Sequence, residues 1–259
     1  HLFDKNTFEH LASSTYQGQG PDEITIIGHV GIDETNRRFF VSDHGKLKIF
    51  AYDLDSVLTT PEYQPSVKID MKKKLFPDDY LYLNDTLCIA KIIEPIGNND
   101  YKPSVARWNM ATGEINPMPY EYPDLKKVRF IYTASAEHQL YVQCYTQYDL
   151  MTICDFNGNL KCNIYGPKWV NEKTQTQHYS LGVEFCGDKI LALYSGGDHR
   201  TDAYYPTKFL VFDLNGNYLK TLETGYMITD FCYDKENNRL IINLNDEIQF
   251  AYLDLEGII

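Results

Sequence analysis

The segment Ser195–Asp202, SGGDHRTD, has the highest density of side chains that could do chemistry. Its titratable residues are Asp198, His199, Arg200 and Asp202. An imidazole beside carboxylates can act as a general acid or base, but such residues also fill ordinary solvated loops. The chain contains no GxSxG or HExxH motif that would add a nucleophile or a zinc site. We predict no catalytic residue, and we take Asp198, His199 and Arg200 as candidate ligand-binding residues.

A second segment, Gly18–Ile24, has the glycine-rich composition of a phosphate-binding loop. Such loops need a helix N-terminus after the glycines and usually a lysine. The residues that follow, ITIIGHVGID, read as a β-strand instead. We predict a turn in which Gly18 and Gly20 adopt positive φ and Pro21 fixes the exit.

Two further segments, Asp155–Asn159 and Asp213–Asn217, partly match a calcium-binding loop. The glutamate required at the twelfth position is absent, because Gly166 and Thr224 stand there. Asn-Gly between apolar runs is a strong signal for a β-hairpin. These segments are therefore predicted to be hairpin turns, and no metal ligand and no cofactor is predicted.

The composition is that of a globular protein in which the aromatic content favours β-structure. The 259 residues are 43% hydrophobic and 23% charged, and they include 21 Tyr. A net charge of −12 argues against nucleic-acid partners and against anionic membranes. No apolar run approaches the ~18 residues of a transmembrane helix, so no transmembrane segment is predicted in this chain.

The six cysteines show neither CxxC motifs nor the spacing of a zinc site. They lie mostly in apolar, strand-like runs, which favours buried free thiols. Cys144 and Cys154 could face each other across a hairpin, and sequence leaves that pairing open.

One element repeats along the chain: an apolar run, an Asp or Asn, a turn and a second short strand. Its marker residues are Asp4, Asp53, Asn109, Asp155, Asp213 and Asp254, at gaps of 49, 56, 46, 58 and 41 residues. A predicted strand–turn–strand pair precedes every such hairpin except the first. Each unit therefore has four antiparallel strands, A to D, and repeated units of this size are typical of a β-propeller.

These repeats predict an all-β, six-bladed β-propeller in a single domain, residues 1–259. The C–D hairpin of an incomplete blade occupies residues 1–16, and the complete blades occupy 24–71, 72–123, 124–166, 167–224 and 225–259. The incomplete blade lacks its two inner strands, which we expect upstream of His1. A five-bladed ring with a separate hairpin is the alternative, although an isolated hairpin is marginally stable in water.

The N-terminal hairpin LFDKNTFEHLAS, the loop GQGPDEI and the repeat of about 50 residues resemble the TolB-like six-bladed propeller proteins of Bacteroidetes. This family has no established activity and no catalytic residues to transfer. The resemblance implies a cell-envelope protein, periplasmic or lipid-anchored, whose export signal would lie upstream of His1.

The propeller fold predicts which connections share a face. The A–B and C–D turns on one face are short. The B–C and inter-blade connections on the other are long: EPIGNNDYKPS, SGGDHRTDAYYPT, TTPEYQPS, NPMPYEYPDLKK and YGPKWVNEKTQTQH. Long loops on a rigid scaffold are common binding sites, and aromatic residues among Asn, Pro and Gly suit protein, peptide or sugar contacts. The candidate ligand-binding aromatics are Tyr101, Tyr120, Tyr122, Trp169, Tyr204 and Tyr205.

We therefore predict a monomeric, non-enzymatic binding or scaffold propeller of the cell envelope, whose long-loop face engages a protein, peptide or glycan. The alternative is a lactonase- or esterase-like propeller hydrolase with a divalent metal in the central channel. Such a site can be assembled from single residues on several blades without a local motif. His29 is one channel candidate, and a hydrogen-bonded structural histidine is the competing interpretation.

Overall fold

The computed structural model describes residues 1–97, 100–123, 125 and 127–259. The chain divides into two compact units, His1–Pro117 and Met118–Ile259, called unit 1 and unit 2. In both units the strands of each sheet follow one another in sequence and pair antiparallel. Residues 98 and 99, in a predicted B–C loop, and residues 124 and 126, in a predicted inter-blade connection, lie outside the described residues.

Unit 1 contains a two-stranded sheet, two four-stranded sheets and a short helix. The two-stranded sheet is β1 (Leu2–Phe3) and β2 (His10–Ala12). The next consists of β3 (Ile27–Asp33), β4 (Arg38–Asp43), β5 (Lys48–Asp53) and β6 (Ser66–Asp70), with helix α1 (Leu54–Thr59) between β5 and β6. The third consists of β7 (Phe76–Asn84), β8 (Leu87–Gly97), β9 (Asp100–Asn109) and β10 (Glu114–Pro117).

Unit 2 contains two four-stranded sheets and one three-stranded sheet. The first consists of β11 (Phe130–Ser135), β12 (Leu140–Tyr145), β13 (Leu150–Asp155) and β14 (Leu160–Tyr165). The second consists of β15 (Thr176–Cys186), β16 (Lys189–Asp198), β17 (Lys208–Asp213) and β18 (Tyr218–Glu223). The third consists of β19 (Ile228–Asp234), β20 (Arg239–Leu244) and β21 (Phe250–Asp254).

The core of each unit lies between neighbouring sheets. In unit 1, Phe40 and Ile49 of one sheet pack with Tyr80 and Trp108 of the next. In unit 2, a corresponding cluster joins β12 and β13 to β15 and β16. The alternating apolar pattern that predicted the strands reflects this, because successive side chains of a strand point to opposite faces.

Four of the six marker residues, Asp4, Asn109, Asp155 and Asp213, lie in hairpin turns as predicted, whereas Asp53 caps helix α1 and residues 255–259 after Asp254 contain no strand. The Oδ1 atom of each of the six accepts a hydrogen bond from a backbone N–H two to four residues later, as in Asx-turns. In Asp155 and Asp213 that oxygen accepts two such bonds at 2.8–2.9 Å. The carboxylates of the two calcium-like segments thus close their own turns.

The segment Gly18–Ile24 is a turn, but the reason for its glycines differs from the prediction. Neither Gly18 nor Gly20 has positive φ. Glu23 instead folds back so that its Oε2 accepts from the Gly20 amide at 2.6 Å, and a Cβ at Gly18 would lie 2.0 Å from the same oxygen. Lys46 Nζ donates to the Gly20 and Glu23 carbonyls. A side chain at residue 18 would therefore displace the Glu23 carboxylate from this position.

The connection after β5 contains a helix where the sequence predicted a short strand and then an inter-blade loop. Asp53 is the N-cap of α1 and accepts a hydrogen bond from the Ser56 amide at 2.8 Å. The fourth strand, β6, begins only at Ser66. The segment TTPEYQPS therefore links two strands of one sheet, and its assignment between blades is wrong.

Two further predictions fail because strands are longer or fewer than expected. The segment EPIGNNDYKPS is mostly strand, since β8 extends to Gly97 and β9 begins at Asp100, with Pro95 opposite Tyr101. The sheet at residues 228–254 has three strands, and residues 255–258 that follow β21 form a turn rather than a fourth strand. The prediction of a complete blade at 225–259 is therefore wrong.

All six cysteines are free thiols, and Cys88, Cys144, Cys154 and Cys186 are buried, as predicted. Cys144 faces Met151 across the β12–β13 pair, so it is not opposite Cys154. Within the described ranges, no helix has both the length and the apolar composition needed to cross a bilayer.

Candidate functional site

Unit 2 brings five aromatic rings together, and we call this group the aromatic cluster. Its members are Tyr122, Tyr145, Tyr148, Tyr165 and Trp169. The ring of Trp169 is central, with centroid distances of 5.1 Å to Tyr165, 5.9 Å to Tyr122 and 6.3 Å to Tyr148. The Tyr122 and Trp169 rings meet edge to face, a favourable arrangement for aromatic pairs. The cluster lies where the β10–β11, β12–β13 and β14–β15 connections meet.

The aromatic cluster has a buried floor and an exposed rim. Tyr145 and Tyr148 are each 2% exposed, whereas Tyr165 is 50% exposed, and Tyr122 and Trp169 are half-buried. The hydroxyl groups of Tyr122 and Tyr165 lie 3.3 Å apart, which links two of the rim residues. Because the rim rings pack on buried residues, they lose little conformational entropy when a ligand contacts their apolar surface.

Asp149 accepts hydrogen bonds from the connection that carries Trp169 and so holds this connection in place. The Asp149 carbonyl accepts from the Gly166 amide at 2.8 Å, and its Oδ2 accepts from the Lys168 amide at 2.9 Å. The Trp169 amide donates to the Gly166 carbonyl at 3.0 Å. A Cβ at Gly166 would lie 2.2 Å from the Asp149 carboxyl atoms, so this approach requires glycine.

A buried polar group lies next to this anchor. His178 Nδ1 is 3.2 Å from the Tyr194 hydroxyl and 3.7 Å from Asp149 Oδ1, and all three residues are buried. Burial lowers the pKa of His178, and this outweighs the opposing effect of Asp149. Burial likewise raises the pKa of Tyr194, with Asp149 adding to the effect. The His178 ring is therefore neutral at pH 7, and the group supports the Trp169 connection from inside.

Tyr120, a predicted site residue, is tied to the β13–β14 pair beside the cluster. Its hydroxyl accepts from Asn163 Nδ2 at 2.8 Å, and Asn163 Oδ1 accepts from Thr152 at 2.7 Å. Tyr120 is half-buried. The hydrogen bond orients this ring, so that Tyr120 borders the cluster without joining its ring contacts.

The structure brings Asp198, His199 and Arg200 together at the end of β16. Arg200 donates to both carboxylate oxygens of Asp198, at 3.0 Å and 2.6 Å, and the arginine holds the pKa of Asp198 below its usual range. His199 Nδ1 lies 2.8 Å from the Gln175 carbonyl, which can only accept, so Nδ1 carries the proton. The Ser195 hydroxyl donates to the Ala203 carbonyl at 2.7 Å. Each polar group thus has a structural partner, as in a solvated, ion-paired loop.

The paired residues Tyr204 and Tyr205 follow this loop in a 3-10 turn at Asp202–Tyr204. Their rings are stacked at 4.3 Å with an interplanar angle of 29°. The Ser180 hydroxyl donates to the Tyr204 carbonyl at 3.4 Å. Both tyrosines are half-buried, and each ring covers one face of the other.

Two candidate residues lie in unit 1. Tyr101 is half-buried on β9 rather than in a loop. His29 Nδ1 lies 2.9 Å from Asp79 Oδ1, and its ring meets Tyr80 edge to face at 4.5 Å. The predicted channel candidate is therefore a hydrogen-bonded histidine between β3 and β7. Among the described residues, no three His, Cys, Asp or Glu side chains form a group that could hold a metal ion.

Three residues of the aromatic cluster, Tyr145, Tyr148 and Tyr165, were not predicted. Tyr145 ends β12 and Tyr165 ends β14, so both look like ordinary strand residues, whereas Tyr148 lies in the short connection between β12 and β13. The available signal was Tyr148-Asp149 in a short connection between two apolar strands, because a carboxylate buried at such a place needs a hydrogen-bonding partner. Of the predicted residues, the cluster contains only Tyr122 and Trp169.

Repeated four-stranded antiparallel sheets, each built from consecutive strands, define the class of protein as an all-β propeller. A family model, DUF5128, described as a 6-bladed beta-propeller, matches residues 9–86. The described residues contain five sheets of three or four strands and the β1–β2 sheet. The predicted count of six blades therefore stays a prediction. No curated protein matches the chain.

Solved structures from Bacteroides share this fold. A member of the DUF4221 family from Bacteroides vulgatus is 12% identical with a TM-score of 0.64, over 96% of this chain and 83% of that chain. The extracellular domain of a B. thetaiotaomicron protein described as a hybrid two component system is 11% identical with a TM-score of 0.59. That match covers 99% of this chain, which spans only 31% of the other. Identities this low show the fold alone.

Proposed function

We propose that this chain is a non-enzymatic binding or scaffold propeller that engages a protein, peptide or glycan through the aromatic cluster and the connections around it. The observation that carries this proposal is the 50% exposed Tyr165 beside the ring of Trp169, which in turn contacts the ring of the buried Tyr148. Aromatic rims of this kind suit sugar rings and the apolar side chains of peptides. The half-buried, stacked pair Tyr204 and Tyr205 is a second group of aromatic residues that could contact a ligand.

The wider assignment forms part of the same proposal. We assign the chain to a six-bladed, TolB-like propeller of the cell envelope, periplasmic or lipid-anchored, and monomeric. The 6-bladed family description supports the blade number, and the extracellular domain from B. thetaiotaomicron supports an envelope location. The net charge of −12 supports a partner other than nucleic acid.

The test is a fluorescence titration of the purified chain with panels of glycans and peptides. Trp108 and Trp169 are the two tryptophans, and Trp108 is 2% exposed, so a ligand at the cluster changes the emission of Trp169. We expect Tyr165→Ala to weaken binding by about tenfold, as for a hot-spot aromatic. Tyr218→Ala, which removes a ring that is 56% exposed on β18, is the matched control.

A thermal-shift screen against calcium, magnesium, zinc and chelator completes the test, because a ligand that binds only the folded state raises the midpoint. A metal-dependent shift together with ester or lactone hydrolysis would replace the proposal by the hydrolase alternative. A ligand whose affinity falls equally in Tyr165→Ala and Tyr218→Ala would exclude the aromatic cluster as its site.

A further inference from the structure

The connection between β14 and β15 is held from inside unit 2 at both of its ends. At its start, Oδ2 of the buried Asp149 accepts from the Lys168 amide at 2.9 Å. At its end, the Thr174 hydroxyl lies 3.5 Å from Nε2 of the buried His178. Trp169 lies between these two contacts in the chain. A change in Asp149 or His178 therefore acts on the ring at the centre of the aromatic cluster.

The hydrogen bonds around His178 fix where the neutral ring carries its proton. The Thr174 hydroxyl has one proton and donates it to the Gln147 carbonyl at 3.1 Å. In its contact with Thr174, the ring nitrogen Nε2 is therefore the donor. The other ring nitrogen, Nδ1, is then unprotonated and accepts from the Tyr194 hydroxyl at 3.2 Å.

One carboxylate oxygen of Asp149 faces the unprotonated side of the His178 ring. This atom, Oδ1, is buried and has no hydrogen-bond partner within the described part of the chain. It lies 3.7 Å from His178 Nδ1, which is longer than a hydrogen bond. The neutral ring has no proton at Nδ1 to donate, so the two groups face each other without a bond.

The charged and titratable groups around His178 come from several elements. They are Asp149 of the β12–β13 connection, Lys168 of the β14–β15 connection, Tyr179 beside it on β15, Tyr194 of β16 and, over the Tyr194 ring, Lys208 of β17. Burial has the largest effect and lowers the pKa of His178, and Lys168 lowers it further, whereas Asp149 raises it. The ring therefore takes up a proton only below pH 6.5, the ordinary pKa of histidine.

We propose that His178 makes ligand binding at the aromatic cluster sensitive to acid, because its protonated ring draws the Asp149 carboxylate away from the connection that carries Trp169. Once Nδ1 carries a proton, Tyr194 can no longer donate to it, and Asp149 Oδ1 is the nearest charged acceptor. Closing the gap from 3.7 Å to the ~2.8 Å of a charge-assisted hydrogen bond takes a movement of about 1 Å. The histidine backbone is fixed, since its amide donates to the Thr146 carbonyl at 2.8 Å.

The Asp149 carboxylate does not have room to serve both partners. A Cβ at Gly166 would lie 2.2 Å from its carboxyl atoms, so the backbone of the connection packs directly against it. A movement of about 1 Å towards His178 opens this contact and lengthens the bond from the Lys168 amide. The start of the connection then loosens, and the half-buried Trp169 ring becomes more exposed.

The inference rests on the proposed function for its ligand, but its first test needs no ligand. That test is the quenching of Trp169 fluorescence by acrylamide between pH 7.5 and pH 5.0. Trp108 is 2% exposed, and the variant Trp169→Phe gives its contribution. We expect the quenching constant of Trp169 to rise about threefold on acidification, because local opening exposes the ring. Far-ultraviolet circular dichroism at each pH checks that the chain stays folded.

Three variants assign the effect to His178. His178→Gln has a neutral side chain at every pH, so the rise in quenching should disappear. His138→Gln changes a histidine in the β11–β12 turn, where its Nε2 lies 2.8 Å from the Gly187 carbonyl, and should keep the rise. Tyr194→Phe removes the donor that stabilises the neutral ring, so the midpoint of the rise should move up by about 0.5–1 pH unit. This shift tests the inference even if His178→Gln does not fold.

The second test uses the glycans and peptides of the panel whose binding Tyr165→Ala weakens. Coupling to one proton lowers an affinity by at most about tenfold per pH unit, so we expect a loss of about fivefold between pH 7.5 and pH 5.5. In His178→Gln the affinity should be the same at both pH values.

Three results would overturn the inference. They are a quenching constant that stays flat down to pH 5.0, an equal rise in wild type and His178→Gln, and a ligand of the cluster that binds wild type equally well at both pH values. A rise that depends on His178 in a chain that binds no panel ligand would support the acid response and contradict the proposed function. The two failures are therefore distinguishable.

Discussion

Replacing Asp43 should destabilise unit 1 although no apolar contact is lost. Asp43 is fully buried at the end of β4, and its carboxylate accepts four backbone hydrogen bonds. Oδ2 accepts from Thr25 at 2.9 Å, and Oδ1 accepts from Ile26, Gly45 and Lys46 at 2.9–3.1 Å. These bonds fix the glycine turn to the β4–β5 hairpin.

The size of the loss follows from these four bonds. In Asp43→Asn, the Thr25 amide faces an NH₂ group, and the other three bonds lose their charge. A hydrogen bond to a charged group contributes about 1.5–3 kcal/mol, so we expect the free energy of unfolding to fall by about 2 kcal/mol. Asp43→Ala leaves all four amides without this acceptor, and we expect a loss of about 4 kcal/mol.

The pH dependence gives a second, independent check. Burial alone raises the pKa of Asp43, but the four amide donors outweigh burial and hold the pKa below its ordinary value of 3.8. A lowered folded-state pKa gives stability that is fully present above the unfolded pKa and is lost as pH falls through the folded one. The difference between wild type and Asp43→Asn should therefore be constant from pH 7 to about 5 and shrink below about 4.

The assay is urea unfolding followed by the fluorescence of Trp108, in a Trp169→Phe background that leaves it the only tryptophan. Trp108 is buried in unit 1 with Phe40 of β4, so its signal reports this unit. Asp70→Asn, at a carboxylate 76% exposed, is the control and should leave the midpoint unchanged. The reasoning is refuted if Asp43→Asn lies within about 0.5 kcal/mol of wild type at pH 7, or if its deficit persists unchanged at pH 3.

Three shorter predictions follow from other contacts. Gly18→Ala should lower the free energy of unfolding by about 1 kcal/mol, because the new side chain displaces the Glu23 carboxylate. In urea unfolding, adding Gly18→Ala to Glu23→Ala should cause no further loss of stability, and additive losses would contradict the contact. Burial lowers the pKa of His178, so the wild type should lose stability as the pH falls below 6.5, the ordinary pKa of histidine, and His178→Gln should not. If the urea midpoints of the wild type and of His178→Gln changed in parallel between pH 7.5 and 5.5, this would contradict the prediction. Four of the six thiols are buried, and burial raises the pKa of Cys88 to about 12. A thiol reagent at pH 8 should therefore label at most two cysteines in the native protein and all six after unfolding. Labelling of more than two cysteines in the native protein would contradict the burial of these four.

The predictions from sequence succeeded where the signal is local. Strand pairs such as β11–β12 and turns such as that after Asp155 depend on alternation and on an Asx side chain a few residues away. Helix α1 was missed because its six residues are too few to show a helical period, and its N-cap, Asp53, was interpreted as a hairpin marker. The extension of β8 to Gly97 and the start of β9 at Asp100 were missed because Pro95 and Pro103 are unfavourable residues in strand interiors.

The candidate site was predictable only in part, because ring contacts depend on distance in space. Trp169 and Tyr122 were identified from loops rich in polar residues. Tyr165 lies in an alternating strand, and nothing in its neighbours indicates that it meets residues 43 positions away. Gly166 needs to be glycine only because the Asp149 carboxylate approaches it from another connection. Such requirements come from tertiary packing, which a single sequence does not encode locally.

The hairpin turns at Asp4, Asn109, Asp155 and Asp213 have a consequence for how the chain folds during synthesis. Each of these side chains closes its turn with an amide at most four residues later, and within every sheet each strand pairs with its neighbour in sequence. Contacts this local form early and at low entropic cost. A hairpin can therefore close while the next strand is still inside the ribosome. The sheets can then form one at a time in the order of translation, so that few strand edges stay unpaired until a distant segment has been synthesised.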